Sequence, residues 1–371
     1  MQDQQYKEVE NVVNRAFNFY AGPATLPLPV LRRAQAELLD YRGTGVSILE
    51  ISHRAKEFDD IMNDACALVH EIFGVPDDYK VLWLQGGASS QFYMVPANIM
   101  HMGKGADFVN TGTWSKKAIK EAKLYGEVNI VASSEDRNFC YIPKDLKFNS
   151  DASYVHLASN NTIFGTQWQT YPDTGEVPLV CDMSSDIMCR AVDVKKFGII
   201  FAGAQKNMGP AGTTLVIVRE DLIDRAPENT PTMMRYKTHA DKNSMFNTPP
   251  CFSIYICKMV LEWLKENGGV SWIEQRNRKK AEKLYNVIDN SNGFYSGHAD
   301  TDSRSLMNVT YRLPTEELEA QCVKEGLARG LVGLKGHRSV GGMRASIYNA
   351  MPTEGVDKLC EFLKEFQENN Q

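Results

Sequence analysis

The chain lacks the cysteine spacing of a redox or zinc motif: none of its eight cysteines forms a Cys-x-x-Cys pair. Cys66, Cys181, Cys257 and Cys360 lie in apolar surroundings, so they read as small core residues of a protein kept in a reducing compartment. It also lacks any run approaching the ~18 uninterrupted apolar residues of a membrane span. Basic excess is missing: 41 Lys and Arg face 46 Asp and Glu, for a net charge of −5, with both signs dispersed. A nucleic-acid or anionic-membrane surface needs a dense cationic face and is excluded as an expectation. An anionic small substrate is not, because one local cluster of cations suffices to bind it. The histidines show no His-x-x-x-His spacing, and no metal site is expected. The opening MQDQQYKEVENVVNR has no apolar core of a secretory signal and is too acidic for a typical transit peptide, so a cytoplasmic location is the expectation.

What is present is enough chain for a large core: 371 residues, 43% of them hydrophobic. That length predicts two domains. Leu28–Tyr41 and Phe58–Phe73 read as helices, the second with Ile61, Met62, Ala65, Leu68, Val69 and Ile72 at helical spacing. Short apolar runs then alternate with helical stretches: 80–84, 107–110, 128–132, 154–158, 179–181, 198–201 and 214–218 against 89–100 and 115–124. Such alternation predicts an α/β fold with a mostly parallel sheet buried on both faces. The character changes at Gly268-Gly269, which can cap the helix 252–266. Helices over 270–288, 315–329 and 353–368 with a strand over 306–312 then predict a smaller α+β domain. The expected division is 28–268 for the large domain, and 1–27 with 269–371 for the small one.

Several polar residues fall at the predicted C-terminal strand ends, where such a sheet holds its ligand. Gly86-Gly87-Ala88-Ser89 follows a strand and opens a helix, which suits a phosphate; an ordinary turn is the competing reading. Asp182 could hold a heterocyclic nitrogen protonated or simply cap the Met183-Ser184-Ser185 turn. Lys206, in AGAQKNMG (202–209), is set between glycines and could form a Schiff base, or could be a solvated surface lysine. Trp114, after Asn110–Thr113, could stack on a planar ring or belong to the core. Two His-Arg pairs, His53-Arg54 and His337-Arg338, with Arg344 behind the second, could meet around a dianion or form separate surface ion pairs.

At these residues FNFYAGPA (17–24), EISHR (50–54), GHR (336–338) and GGMRASIYNA (341–350) closely resemble the phosphoserine aminotransferase family, from about Phe17 to near the C-terminus. The resemblance implies the fold of the fold type I pyridoxal-phosphate transferases: a large domain on a seven-stranded, mostly parallel sheet, a smaller α+β domain, and a homodimer with shared active sites. It implies that Lys206 carries pyridoxal 5'-phosphate and that Asp182 partners its ring nitrogen. Trp114 would stack on the ring and Thr162 would bond near its hydroxyl. Ala88, Ser89 and Gln205 would contact the cofactor phosphate, joined by Asn247 and Thr248 from the neighbouring subunit. His53, Arg54, His337 and Arg338 would take the substrate's phosphate or distal carboxylate, and Arg344 its α-carboxylate. Some family members carry Arg where this chain has Ser89, so here the cradle would rely on N–H groups, the hydroxyl and the helix N-terminus.

The activity implied is transfer of the amino group of L-glutamate to 3-phosphooxypyruvate, giving O-phospho-L-serine and 2-oxoglutarate in serine biosynthesis. 4-Phosphohydroxythreonine, toward vitamin B6 (pyridoxine), would be a second phosphorylated substrate. Two readings compete: another fold type I enzyme, such as an alanine–glyoxylate type aminotransferase or a cysteine desulfurase, and a non-catalytic α/β protein using Gly86-Gly87 for a nucleotide.

Overall fold

A computed structural model describes residues 15–371; the reading of residues 1–14 lies outside them. The described chain opens with a two-residue strand, β1 (Phe17–Asn18), followed by α1 (Leu28–Glu37) and α2 (Lys56–Phe73). There follow β2 (Tyr79–Leu84), α3 (Gly87–Ile99), β3 (Ala106–Asn110), α4 (Thr113–Ala122), β4 (Val128–Ser133), β5 (Val155–Ala158), β6 (Leu179–Asp182), β7 (Ile199–Gly203) and β8 (Thr214–Arg219). Seven of these strands form one sheet in the order β2-β8-β7-β6-β5-β3-β4. Only β8 runs against its neighbours, pairing antiparallel with both β2 and β7. Strands β5 to β8 are buried almost throughout, as their uniform apolar runs require when helices cover both faces.

The predicted first helix is shorter than its pattern. It stops at Glu37, because Arg42 takes a positive φ and Gly43 and Gly45 follow in the same region, turning the chain. On the other flank α2 runs its full predicted length and ends on Gly74 in the left-handed conformation, a C-terminal cap. It packs on α6 (Cys251–Glu266), which comes after the short α5 (Tyr236–Ala240).

Beyond α6 lie α7 (Gly269–Asp289), β9 (Ser296–Gly297), β10 (Asn308–Arg312), α8 (Glu316–Ala328), β11 (Leu331–Val332), β12 (Met343–Ser346) and α9 (Thr353–Asn370). β10 pairs antiparallel with β12 and β9, and β1 pairs with β11. Phe19 therefore joins a second core made by α7, α8, α9 and these strands, with Leu284, Tyr311 and Phe362 fully buried. Each such side chain contributes about 1.5–3 kcal/mol by leaving water.

The seam between the two cores is polar and densely hydrogen-bonded, with Asn277 Oδ1 left unpaired among the described residues. Lys280 of α7 is buried, and its Nζ donates to the carbonyls of Ile347, Tyr348 and Met351 at 2.8, 2.7 and 3.2 Å. The backbone N–H of Asn349 donates to Asn207 Oδ1 at 2.9 Å, and the Tyr348 hydroxyl to the carbonyl of Ala21 at 2.7 Å. Ala24 N–H in turn donates to Gln205 O at 2.9 Å. The segments 17–24 and 341–350 thus close on the residues flanking Lys206. Leaving one of these buried groups unpaired would cost about 1–3 kcal/mol.

Candidate active site

The sheet register gathers the candidates at one edge. Thr214 stands opposite Leu84 on one side and Gly203 on the other, so the entrance to α3 and the loop carrying Lys206 flank it. Asp182 is paired with Ala158 on one side and Phe201 on the other. Asn110 ends β3 just before α4 and Trp114. Apart from Thr214, which opens the antiparallel β8, these are C-terminal strand ends, where side chains leave the sheet and helix N-termini point inward.

Lys206 sits at the centre. Its Nζ donates to Thr162 Oγ1 at 2.8 Å and lies 5.3 Å from the centroid of the Trp114 indole. Burial pushes its pKa down from 10.5 to about 8; the Asp182 carboxylate opposes that shift and Arg344 adds to it. A lysine at this value is a usable nucleophile near neutrality. Gly22 makes the packing possible: a Cβ there would stand 3.2 Å from Lys206 Cγ, and its φ is +147°.

Asp182 closes β6 with 7% of its surface exposed. Its Oδ1 accepts the Ser184 N–H at 2.9 Å, and among the described residues no hydrogen bond reaches its other oxygen. One oxygen thus caps a turn, as one of the two readings expected, and the other makes no hydrogen bond that would compete with a ligand. Burial raises its pKa, against the Ser184 hydrogen bond and the Lys206 charge. Nearby, Trp114 Nε1 and Arg344 Nε are buried without partners. Arg344, on β12, donates to Thr162 O at 3.1 Å, and burial pulls its pKa down.

His337 lies in the loop before β12 and shares a cavity wall with Ile163 and Arg344. Its Nδ1 accepts the Ser339 N–H at 3.2 Å, so the neutral ring keeps its hydrogen on Nε2. Burial lowers its pKa, helped by the charges of Arg344, Arg338 and Lys117. Arg338 is exposed. His53 and Arg54 sit elsewhere, in the turn before α2; His53 Nε2 is buried without a partner and Arg54 is exposed. Among the described residues no hydrogen bond or ion pair joins this pair to His337 or Arg338.

The entrance to α3 is formed by Gly86, with φ +88° and a position where a Cβ would lie 1.7 Å from Ser90 Oγ. Ala88 is half-buried and Ser89 exposed. Gln205 folds over Gly203, where a Cβ would meet its Oε1 at 2.7 Å. Asn247 lines a cavity of about 320 Å³ with Gly86 and Ser90, and Gln85 Nε2 donates to Thr248 O at 3.0 Å.

Some supporting residues carry no motif in the sequence. Ser184 Oγ accepts the Gly203 N–H at 3.0 Å, fixing β7 against the Asp182 turn. Asp186 is buried and takes hydrogen bonds from Ser159 and, at 2.9 Å, from Gln167. Its position one turn after Asp182 was the one available signal.

A buried carboxylate oxygen without a partner, a depressed lysine amine, an indole face and a guanidinium whose Nε is unpaired fit pyridoxal phosphate and an acidic substrate as a group. The comparisons with known proteins agree with this chemistry. The pattern of the aminotransferase class-V family matches residues 16–359. A phosphoserine aminotransferase of Desulfatibacillum aliphaticivorans is 58% identical over 359 residues, covering 96% of this chain and 99% of the relative. The solved structure of phosphoserine aminotransferase from Bacillus circulans subsp. alkalophilus superposes with a TM-score of 0.95 at 52% identity, covering 96% of this chain and 99% of that one. The PLP-bound phosphoserine aminotransferase from Trichomonas vaginalis gives 0.90 at 38% identity, covering 94% and 100%.

Proposed function

The chain belongs to the aminotransferase class-V family, and from that premise we propose that it is a pyridoxal-phosphate enzyme moving the amino group of L-glutamate to 3-phosphooxypyruvate. The observation that carries this reading is the Lys206 amine, brought to a pKa of about 8 between Thr162, Trp114 and the buried Asp182. Bound there, the cofactor supplies an electron sink for the substrate's α-carbon and stores the amino group between the two half-reactions.

The chain's own residues do the rest. Asp182 keeps the proton on the ring nitrogen with its free oxygen. Trp114 offers a flat face, and Thr162 holds the ring's hydroxyl region. Ala88, Ser89 and Gln205 hold the cofactor phosphate with N–H groups, a hydroxyl and an amide at the mouth of α3, where the helix N-terminus favours negative charge. Lys206, once its amine is free, carries the α-proton. Arg344 grips the α-carboxylate, and His337 with Arg338 takes the distal phosphate or carboxylate.

A homodimer completes this reading. His53 and Arg54 stand apart from His337 within one chain, beside a segment that exposes Leu39 (84%) and Leu49 (61%). A second copy covering that segment would bury apolar surface and add His53 and Arg54 to the anion pocket. Asn247 and Thr248 would reach the neighbour's cofactor phosphate in the same way. The division at 28–268 against 1–27 and 269–371 is part of the proposal; two separate cores support two domains, with Val270 and Ile273 at the start of α7 still packed in the larger one. So is a cytoplasmic location: all eight cysteines are free, and no described helix is long and apolar enough to cross a membrane. The same pocket would accept 4-phosphohydroxythreonine as a second substrate.

The purified protein should be yellow, form phosphoserine from glutamate and 3-phosphooxypyruvate, and give a borohydride-trapped adduct at Lys206. A colourless protein with no adduct would favour a non-catalytic binding role and sink the proposal.

A further inference from the structure

Trp114 has two ammonium groups over its indole. Lys206 Nζ lies 5.3 Å from the ring centroid and Lys117 Nζ 4.6 Å. Lys117 is one helical turn beyond Trp114 on α4 and is exposed. Its neighbour Lys116 is ion-paired with Glu135, whereas Lys117 makes no ion pair among the described residues. The cluster of Phe139, Ile163 and Phe164 packs Trp114 and also Val340 from the loop carrying His337 and Arg338. The first turn of α4 is therefore set against that loop. Lys117, Arg338 and Arg344 all bear on His337, and no carboxylate among the described residues opposes them there. The other cation of this cavity wall, Arg312, is already paired with Glu319 at 2.8 Å.

We propose that Lys117 is a specificity-determining residue: its ammonium joins His337 and Arg338 around the substrate's distal group and favours a phosphate dianion over a carboxylate. The inference rests on the phosphoserine reading of this site. Its physical basis is that a compact point charge gains twice the Coulomb energy from a dianion as from a monoanion at equal distance. The indole face keeps the flexible lysine near the pocket when no anion is bound.

The test compares Lys117→Gln and Lys117→Arg with the wild-type holoenzyme, on phosphoserine and on glutamate. For Lys117→Gln, kcat/KM on phosphoserine should fall about fivefold while that on glutamate changes less than about twofold. The difference should shrink at high salt, and Lys117→Arg should restore it. Calorimetric titration of phosphoserine onto each protein should show the same loss of affinity. Equal losses on both substrates, a shifted cofactor absorbance, or no change would overturn the proposal. A wild-type chain that fails to transaminate phosphoserine would instead overturn the functional reading, and the titration would still decide on Lys117.

Discussion

The floor of the site and its rim are built on opposite principles. On the floor, Asp182, Thr162, Ser184 and the Lys206 loop are tied to one another and to β7 by hydrogen bonds, and Asp182 and the start of the Lys206 loop are fixed by sheet register. At the rim, Arg54, Lys117 and Arg338 are exposed and make no ion pair among the described residues. In the proposed reading the floor holds the groups whose position decides chemistry, and position demands preorganisation. The rim holds charges whose work is attraction, which tolerates mobility and benefits from the lack of competing carboxylates. Substitutions should divide accordingly: floor changes should lower kcat, and rim changes should raise KM.

The largest effect is expected at Lys206. Lys206→Ala should cost at least about 10³-fold in turnover and leave no borohydride adduct, with the fold intact by circular dichroism. Substantial remaining transamination would break the assignment of the floor. Next comes Asp182→Ala, which keeps the lysine but removes the acidic partner. A loss of roughly two to three orders of magnitude in kcat, with KM little changed, is the expected outcome. A pure KM effect would place Asp182 with the rim.

Rim substitutions should cost less. Arg54→Ala should raise KM about ten- to a hundredfold, the loss of one charge-assisted contact to an anion. Co-expressing it with Lys206→Ala sharpens the comparison. If Arg54 serves its partner's site, mixed dimers restore one intact site and recover about a quarter of wild-type activity. If it serves its own chain's site, activity at low substrate should be only about half that of Arg54→Ala alone, about 5% of wild type or less.

The floor was more legible in the sequence than the rim, for a physical reason. Strands buried on both faces leave continuous apolar runs, so their ends, and with them Asp182 and Lys206, could be located. What those runs cannot show is direction: β8 has the same all-apolar pattern as β7, yet runs antiparallel to it. β12, which carries Arg344, is only four residues long and follows Gly341-Gly342, so no run announced it. Within one chain His53 and Arg54 stay apart from His337 and Arg338, and no local pattern encodes whether two such pairs meet. The seam residues Lys280, Asn207 and Asn349 were silent because a buried polar side chain looks like a surface one until its partners are known.

The smallest expected effect tests the floor at its finest grain. Thr162 accepts a hydrogen bond from the Lys206 ammonium at 2.8 Å, which favours the charged form and opposes the burial that lowers its pKa to about 8. Thr162→Val removes that acceptor at nearly constant volume, so the amine should titrate below 8 and be free at lower pH than in the wild type. The apo protein's rate of reaction with an amine-directed reagent, measured at Lys206 across pH 6 to 10, reports this directly, with wild type expected at about 8. Turnover at neutral pH should fall by less than about tenfold, since the lysine and Asp182 remain. A midpoint that rises would remove Thr162 from this balance, and one near the ordinary value of 10.5 in the wild type would show that burial does not govern this lysine and would dissolve the contrast between floor and rim.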